Sequence, residues 1–428
     1  MSTNQELFDR AQRVIPGGVN SPVRAFTSVG GTPYFVARAA GARVWDVEGT
    51  EYLDLVQSYG AIIGGHAHPV IIEAIRAAAG DGTSYGAPTE REVLLAEEIR
   101  ARVPSCDKVR MVSSGTEATM TALRLARGAT GRTRVVKFAG NYHGHGDALL
   151  AQSGSAVAHL DAASSPDGIP GSAGVPGSAV ADTLVVPYNQ VPVLDDTIAC
   201  VIVEPVAANM GLVAPAPGFL AGLRAECDRV GALLVFDEVI TGFRIARGGA
   251  QATYAVTPDL TCFGKVIGGG LNVGAFGGRS DLMDLLAPLG PVYQAGTLSG
   301  NPLATAAGLA ALGLLDDGAY DELHATAAAL ALGLQGALTR AGLVAVVPVV
   351  GSLVGLHFGP RLPVDYDSAR DTDEEAYAAF FHAMLDRGVA LAPGAYEVMF
   401  PGLAHTPEVI ERIVEVASDA ALAVAATT

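Results

Sequence analysis

The chain contains very little lysine. Lys108, Lys137 and Lys265 are its only lysines, and the other 24 of its 27 basic residues are arginines. Cysteine is scarce too, since the four cysteines show neither a CxxC pair nor zinc-ligand spacing. No run of residues is long and apolar enough to span a bilayer, and residues 1–6 are polar, unlike a secretory signal. We therefore expect a cytoplasmic protein with reduced thiols.

Positive charge is also in short supply, and this restricts the possible partners. The formal net charge of −17 argues against nucleic acids and anionic membrane surfaces as partners. A phosphate or carboxylate ligand would have to be held by local donors. A dinucleotide-dependent dehydrogenase is excluded as well, because no G-x-G-x-x-G motif follows a predicted strand. Cys200 and Cys262 lie in apolar runs and are predicted to be small core residues.

Short apolar runs alternate with amphipathic stretches from about residue 66 to 310. The runs are continuously apolar, which is typical of strands buried on both faces. Helical patterns, such as 117–127 and 219–230, lie between them. This alternation predicts an α/β fold with a mainly parallel sheet flanked by helices. The predicted strands are 109–112, 134–138, 199–203, 232–236 and 260–263.

The C-terminal part has a different pattern. Helical patterns at 320–341 and 373–387 flank an apolar run at 343–347, and an alanine-rich helix is predicted at 407–426. We expect a smaller α+β domain here. The predicted division is an N-terminal segment 1–57, a large domain 58–310 and a small domain 311–428. Residues 151–181 are rich in Ala, Ser, Gly and Pro, so this segment is predicted to be either a functional lid or disordered.

Lys265 stands at an unusual place for a lysine. It closes the apolar run 260–264 and precedes the glycines 268–270. A lysine in an apolar pocket loses its proton easily and becomes a nucleophile suited to Schiff-base chemistry. The alternative is an ordinary lysine at a strand end whose ammonium reaches the surface. The neighbouring motifs must decide between these two interpretations.

Two of these motifs follow predicted strands directly. Ser114 and Glu117 have capping-box spacing at the start of a helix, where free backbone N–H groups can hold a phosphate. Asp237 follows the strand 232–236, at the end of the strand where open α/β sheets bind ligands. A carboxylate there can keep a heterocyclic nitrogen protonated. Taken singly, each is equally consistent with an ordinary helix or turn cap.

A third motif is the loop after the strand 134–138. Tyr142 offers an aromatic face for a planar ring. Metal binding by His143 and His145 is the rival interpretation, but no third ligand has suitable spacing. A phosphate turn, an aromatic side chain, a carboxylate and a Schiff-base lysine at successive strand ends together predict a pyridoxal phosphate site.

Longer motifs support the same conclusion over nearly the whole chain. They are PGGVNSPVRAF at 16–26, GAPTE at 86–90, SGTEATM at 114–120, VEPV at 203–206, DEVITGFR at 237–244 and QAGTLSGNP at 294–302. The chain thereby resembles the class III aminotransferases, a group of fold-type I pyridoxal phosphate enzymes. The 17–26 motif and the 151–181 segment resemble the aminomutase branch, whose members move an amino group within one molecule.

The resemblance implies roles for individual residues. Lys265 would form the Schiff base with the cofactor and shuttle protons, and Asp237 would pair with the ring nitrogen. Further cofactor contacts are implied for Tyr142 stacked on the ring, Val239 beneath it, Asn209 at the phenolic oxygen, Ser114, Gly115 and Thr116 at the phosphate, and Thr297 from the other subunit of a homodimer. Substrate contacts are implied for Ser21, Arg24, Tyr59 and Glu397.

The activity that this branch implies is conversion of glutamate-1-semialdehyde to 5-aminolevulinate through diaminovalerate, an isomerisation in tetrapyrrole synthesis. Residues 58–61 read Ser-Tyr-Gly-Ala, where the family usually has a tryptophan followed by Gly-Pro. Two alternatives stay open. One is an ω-aminotransferase that uses a separate amino donor and keto acid, and the other is a non-catalytic cofactor-binding or scaffold protein on the same fold.

Overall fold

A computed structural model of the chain describes residues 2–151 and 170–426. Most of the predicted 151–181 lid therefore lies outside the described residues. Ala151 and Pro170, the described residues on either side of this gap, form an isolated β-bridge. None of the helices within the described ranges is long and apolar enough to cross a membrane.

The helices and strands alternate through the middle of the chain. The strands are β1 (Val36–Ala40), β2 (Arg43–Asp46), β3 (Glu51–Asp54), β4 (Lys108–Val112), β5 (Arg134–Phe138), β6 (Thr183–Val186), β7 (Ile198–Val203), β8 (Leu233–Asp237), β9 (Leu260–Phe263), β10 (Gly274–Gly278), β11 (Val349–Val350), β12 (Leu353–Val354) and β13 (Val389–Ala390). The helices are α1 (Asn4–Gln12), α2 (Pro69–Asp81), α3 (Glu90–Arg102), α4 (Gly115–Thr130), α5 (Gly177–Val180), α6 (Phe219–Val230), α7 (Gly249–Tyr254), α8 (Ser280–Met283), α9 (Pro302–Gly313), α10 (Asp317–Arg340), α11 (Tyr366–Ala369), α12 (Glu374–Leu385) and α13 (Pro407–Ala425). Short 3-10 helices include Gln57–Gly60 and Lys265–Gly268.

The main sheet has the strand order β4-β10-β9-β8-β7-β5-β6. Its parallel part, from β9 to β6, confirms the predicted mainly parallel α/β sheet. Consecutive residues of a strand point to the helices on opposite faces of the sheet. Val235 packs in the cluster that contains α4, whereas Leu234 packs in the cluster that contains α6. The sheet is therefore covered by helices on both faces, which explains why its strands are continuously apolar.

Two strands of this sheet, β6 and β10, were not predicted. β10 runs antiparallel to both of its neighbours, β4 and β9. Its sequence, Gly-Ala-Phe-Gly-Gly, has a low strand propensity. The glycines are required by close packing, because a Cβ on Gly274 would lie 2.2 Å from the Ser114 carbonyl oxygen. A Cβ on Gly278 would likewise lie 2.2 Å from the carbonyl oxygen of Asp259.

The two ends of the chain meet in a second sheet, with the order β1-β2-β3-β13. β13 pairs in parallel with β3, with Val389 opposite Leu53. Helices α10, α12 and α13 pack with this region around a core that includes Phe26 and Phe381. The predicted run at 343–347 forms no regular strand and contributes a single bridge, from Val346 to His357. The division into domains at 57 and 310 stays a prediction.

Candidate active site

The carboxyl ends of the parallel strands converge on one cavity of about 210 Å³. Residues from five separate segments line it, which is the position expected for a ligand in an open α/β sheet. The lining residues are Gly115, Thr116, Thr119, Tyr142, His143, Gly144, Glu204, Val206, Asn209, Asp237, Val239, Ile240 and Lys265. Seven residues singled out from the sequence are among them, namely Lys265, Asp237, Val239, Tyr142, Asn209, Gly115 and Thr116.

Lys265 follows β9 in a constrained backbone. Its φ of 48° lies in the left-handed region, which is uncommon for a residue with a side chain. Burial lowers the pKa of its amine, while the negative charges of Asp237, Glu397 and Glu204 oppose this effect. Within the described residues the amine has no hydrogen-bond partner. These features favour a neutral, available amine and contradict the interpretation of Lys265 as a surface lysine.

Asp237 is held from two sides at the end of β8. His143 Nδ1 lies 2.7 Å from its Oδ2, and the backbone N–H of Val239 donates to its Oδ1 at 3.1 Å. Burial lowers the pKa of His143, so the ring is neutral, and its Nδ1 proton is directed to the carboxylate. The buried Nε2 of His143 has no hydrogen-bond partner among the described residues. His143 therefore fixes the orientation of the carboxylate.

Glu204, at the end of β7, is a buried carboxyl that organises the opposite side of the cavity. It accepts hydrogen bonds from the backbone N–H of Tyr142 at 2.6 Å and of Ala208 at 3.1 Å. It also accepts one from the Asn209 amide at 2.9 Å. Burial and the nearby charge of Asp237 raise the pKa of Glu204 to about 8. One side chain thus positions both Tyr142 and Asn209.

Helix α4 begins at the cavity. The Ser114 hydroxyl accepts from the backbone N–H of Glu117 at 3.2 Å, so the predicted N-cap forms. The Glu117 carboxylate accepts from Ser113 rather than from Ser114, at 2.8 Å. Since the Ser114 hydroxyl is used by the cap, the free N–H groups of Gly115 and Thr116 are left to face an anion.

The substrate residues implied by the sequence lie outside this cavity lining. The charges of Glu397 and Arg24 both act on Tyr59, whose pKa is raised first by burial and then by Glu397, with Arg24 opposing. These three side chains therefore lie near one another. Arg24 is exposed, and Ser21 is partly buried before the 3-10 helix Pro22–Ala25.

Tyr59 belongs to a strained turn. Gln57, Ser58 and Tyr59 have φ values of 43°, 55° and 53°, all in the left-handed region. Each such residue costs about 1–2 kcal/mol. The Asp54 carboxylate holds the start of the turn, accepting from the backbone N–H of Val56 at 2.8 Å and from the ring of His66, whose Nε2 lies 2.7 Å away. Strain of this kind is typical of functional sites.

Thr297 lies in a different place. It is exposed and lines a second cavity of about 350 Å³, together with the segments 84–89 and 299–302. The structure therefore does not bring Thr297 to Lys265 within one chain. No cluster of three or more His, Cys, Asp or Glu side chains within the described ranges could hold a metal ion.

The roles of His143 and Glu204 were missed by sequence reasoning. Each comes directly after a feature that was recognised. His143 follows Tyr142, and Glu204 follows the strand predicted at 199–203. Their position beside recognised strand ends could have indicated them. Their contacts could not, since His143 and Asp237 are 94 residues apart in the sequence.

Comparison with known proteins assigns the family. The family model described as "Aminotransferase class-III" matches residues 26–420. The chain belongs to the class III aminotransferase family. Two proteins of known structure have the same fold. An ω-transaminase from Sphaerobacter thermophilus is 35% identical, with a TM-score of 0.90 and coverage of 99% of this chain and 98% of that one. A glutamate-1-semialdehyde-aminomutase from Pseudomonas aeruginosa PAO1, in complex with PMP, is 27% identical, with a TM-score of 0.85 and coverage of 97% and 93%.

A relative of higher identity has the same name as the second structure. The "Glutamate-1-semialdehyde 2,1-aminomutase" of Bordetella avium is 54% identical over 413 residues, covering 95% of each chain. Class III aminotransferases use pyridoxal phosphate and its amine form, pyridoxamine phosphate. The cavity fits this cofactor. Its donors suit a phosphate at α4, and a Cβ on Gly115 would come within 3.1 Å of Val239, so glycine keeps the cradle open.

Proposed function

We propose that this protein is a pyridoxal phosphate-dependent aminomutase that converts glutamate-1-semialdehyde to 5-aminolevulinate through diaminovalerate, in tetrapyrrole synthesis. The observation that carries the chemistry is the convergence of Lys265, Asp237 and the start of α4 on one cavity. The choice of substrate is supported by the relative from Bordetella avium, which has that name at 54% identity.

Backbone N–H groups and side chains of the cavity would together hold the cofactor. The backbone N–H groups of Gly115 and Thr116 would bind its phosphate, and Tyr142 and Val239 would pack against its ring. Asp237 would pair with the ring nitrogen and Asn209 with the phenolic oxygen. When bound, pyridoxal phosphate withdraws electrons from the carbon that bears the amino group, so that this carbon can lose a proton.

Lys265 would move the protons of the reaction. Burial lowers the pKa of its amine and so favours the neutral form. The neutral amine can take a proton from the substrate carbon as a general base and return it to another carbon as a general acid. The same base would serve both halves of the reaction, since one amino group is added and the other is removed at the same site.

The substrate would be oriented by its carboxylate. Arg24 is suited to this role because its guanidinium binds a carboxylate with two parallel hydrogen bonds. Ser21 would contribute a hydroxyl donor, and Tyr59 would pack against the substrate chain. Glu397, near Arg24, would limit the mobility of the guanidinium before substrate binds.

We further propose a cytoplasmic homodimer in which Thr297 completes the partner's site. Leu289, Tyr293 and Leu298, which precede or follow Thr297 within eight residues of the sequence, are 73%, 71% and 53% exposed and so present apolar surface. The buried hydroxyl of Ser299, which lines the same cavity, has no hydrogen-bond partner in the described chain. Both observations support an interface that brings a partner to this cavity.

The assay is conversion of glutamate-1-semialdehyde by the pyridoxamine phosphate form, with no added amino donor or keto acid. We expect stoichiometric 5-aminolevulinate and repeated turnover, because in each cycle the cofactor regains an amino group from diaminovalerate in place of the one that the product carries away. A K265A variant, which keeps the rest of the cavity, is expected to lose turnover.

An ω-aminotransferase is the second candidate, because the Sphaerobacter ω-transaminase has the same fold at a TM-score of 0.90. A strict requirement for 2-oxoglutarate or another keto acid would favour that candidate and contradict the mutase. A non-catalytic scaffold predicts no visible cofactor band that borohydride bleaches, and no loss of such a band in K265A.

A further inference from the structure

Arg244 is a completely buried cation with no acidic partner among the described residues. Its side chain is 0% exposed. Its Nη1 donates to the carbonyl of Pro401 at 3.3 Å, and its Nη2 donates to the carbonyl of Gly60 at 3.1 Å. Nε has no acceptor, and no carboxylate in residues 2–151 or 170–426 forms a salt bridge with it. A buried charge without a counter-ion is strongly unfavourable, so its presence calls for an explanation.

The two hydrogen bonds of Arg244 join three segments of the site. Arg244 itself ends the 237–244 segment that begins with Asp237. Gly60 ends the strained turn that contains Tyr59, and Pro401 lies on the segment that contains Glu397. One guanidinium therefore connects the cofactor side of the site with both halves of its substrate side.

The contact with Gly60 is close on every side. Gly60 has a φ of 91°, and a Cβ there would lie 2.7 Å from the Phe400 ring and 3.5 Å from Arg244 Nε. The Arg244 guanidinium lies 5.3 Å from the centre of that ring. Asp54 restrains the start of the turn, so Arg244 provides the restraint at its end. Without both restraints, three left-handed residues would relax to the right-handed region or to β.

Arg244 also acts on Lys265 through its charge. It lowers the pKa of the Lys265 amine, in the same direction as burial and against the three nearby carboxylates. Burial lowers the pKa of Arg244 itself to about 9, so the side chain still carries its charge at neutral pH. Since no carboxylate of the described residues forms a salt bridge with Arg244, this positive charge can act on its surroundings.

We propose that Arg244 is a positioning residue that locks the Tyr59 turn and the Glu397 segment to the strand end carrying Asp237. Its positive charge also favours the neutral form of the Lys265 amine. A test that measures KM for the substrate rests on the proposed function, whereas a test that measures the reactivity of the Lys265 amine does not.

The test compares R244M, which removes the charge but keeps the stem, with R244K, which keeps the charge but cannot reach both carbonyls. R102M is the matched control. Arg102 is also buried and donates to the carbonyls of Leu312 and Leu315, but it is paired with Glu98. Two quantities are measured, namely KM for glutamate-1-semialdehyde and the pH midpoint of Lys265 acylation by acetic anhydride in the pyridoxamine phosphate form. Lys108, which is half exposed, is the internal reference in the peptide mass spectra.

We expect R244M, which loses both hydrogen bonds, to raise KM at least about tenfold. We also expect R244M to move the Lys265 midpoint to higher pH. R244K should raise KM while leaving the midpoint near that of the wild type. R102M should lower the thermal midpoint of unfolding and leave both site quantities unchanged.

The proposal is overturned if R244M keeps the wild-type KM and the wild-type pH midpoint of Lys265 acylation. It is also overturned if R102M changes KM and this midpoint as much as R244M does. Should R244M fail to fold, R244Q replaces it, since glutamine is neutral and can reach only one carbonyl. If the wild type does not convert glutamate-1-semialdehyde, the proposed function fails. In that case the pH midpoint of Lys265 acylation alone tests whether Arg244 acts on the Lys265 amine.

Discussion

Lys137 provides a sharp test of the electrostatics, because it is a lysine with no exposure at all. It lies on β5, and its amine donates to the carbonyls of Leu149 and Ala151 at 3.1 and 2.9 Å. Burial lowers its pKa from 10.5 to about 7, with Glu204 opposing the effect. The prediction is that replacing Lys137 with methionine changes how the free energy of unfolding depends on pH.

The sign follows from the protons bound in each state. Between pH 7 and 10.5 the unfolded chain binds one more proton at Lys137 than the folded chain does. The stability of the wild type therefore rises through this window by about 1.4 kcal/mol per pH unit. K137M lacks this contribution. From pH 7 to pH 9 we expect the wild type to gain about 2 kcal/mol relative to K137M, since the folded state is still half protonated at pH 7.

The measurement is urea denaturation of both proteins at pH 7, 8 and 9, followed by circular dichroism. K108M is the matched control, because Lys108 is an exposed lysine paired with Asp284. A wild-type minus K137M difference that stays flat from pH 7 to 9 would refute the reasoning. It would mean that the buried amine keeps its charge.

Three further predictions concern the cofactor site. Borohydride reduction of the holoenzyme should fix the cofactor on Lys265 alone, and a modified peptide containing either of the other two lysines would contradict the assignment. H143L leaves a buried Asp237 oxygen without its side-chain donor and should destabilise the protein by roughly 1–3 kcal/mol, seen as a lower thermal midpoint. H143N should recover most of this loss, because its amide places a donor where Nδ1 was. G115A should weaken pyridoxal phosphate binding roughly tenfold through overpacking, whereas G80A, which has open space around its new Cβ, should bind the cofactor as the wild type does.

The central sheet could be predicted well from the sequence. The strands predicted at 134–138 and 260–263 match Arg134–Phe138 and Leu260–Phe263 at both ends. The strand at 232–236 is shifted by one residue, to Leu233–Asp237, so that Asp237 closes the strand itself. Strands buried on both faces must be apolar throughout, and such runs are easily recognised. β10 escaped because its glycines are required by neighbouring backbone, which local sequence does not reveal.

The site was predicted in outline, and its supporting contacts were not. Lys265, Asp237 and Tyr142 could be placed at one sheet edge because each follows a strand of a parallel sheet. The hydrogen bonds from Tyr142 and Asn209 to Glu204 depend on side-chain directions after folding. The buried charge of Arg244 could not be predicted either, since burial of an arginine is set by distant segments.

The sequence by itself determined the chemistry and the order of the strands that deliver it. Hydrophobic runs identify buried strands, and the polar residues that end them are fixed in position by chain connectivity. Only the tertiary structure decided which groups are neutral and which are held in place. Burial shifts the pKa values of Lys265, Glu204 and Lys137, because removing water penalises the charged form of whichever group the fold encloses.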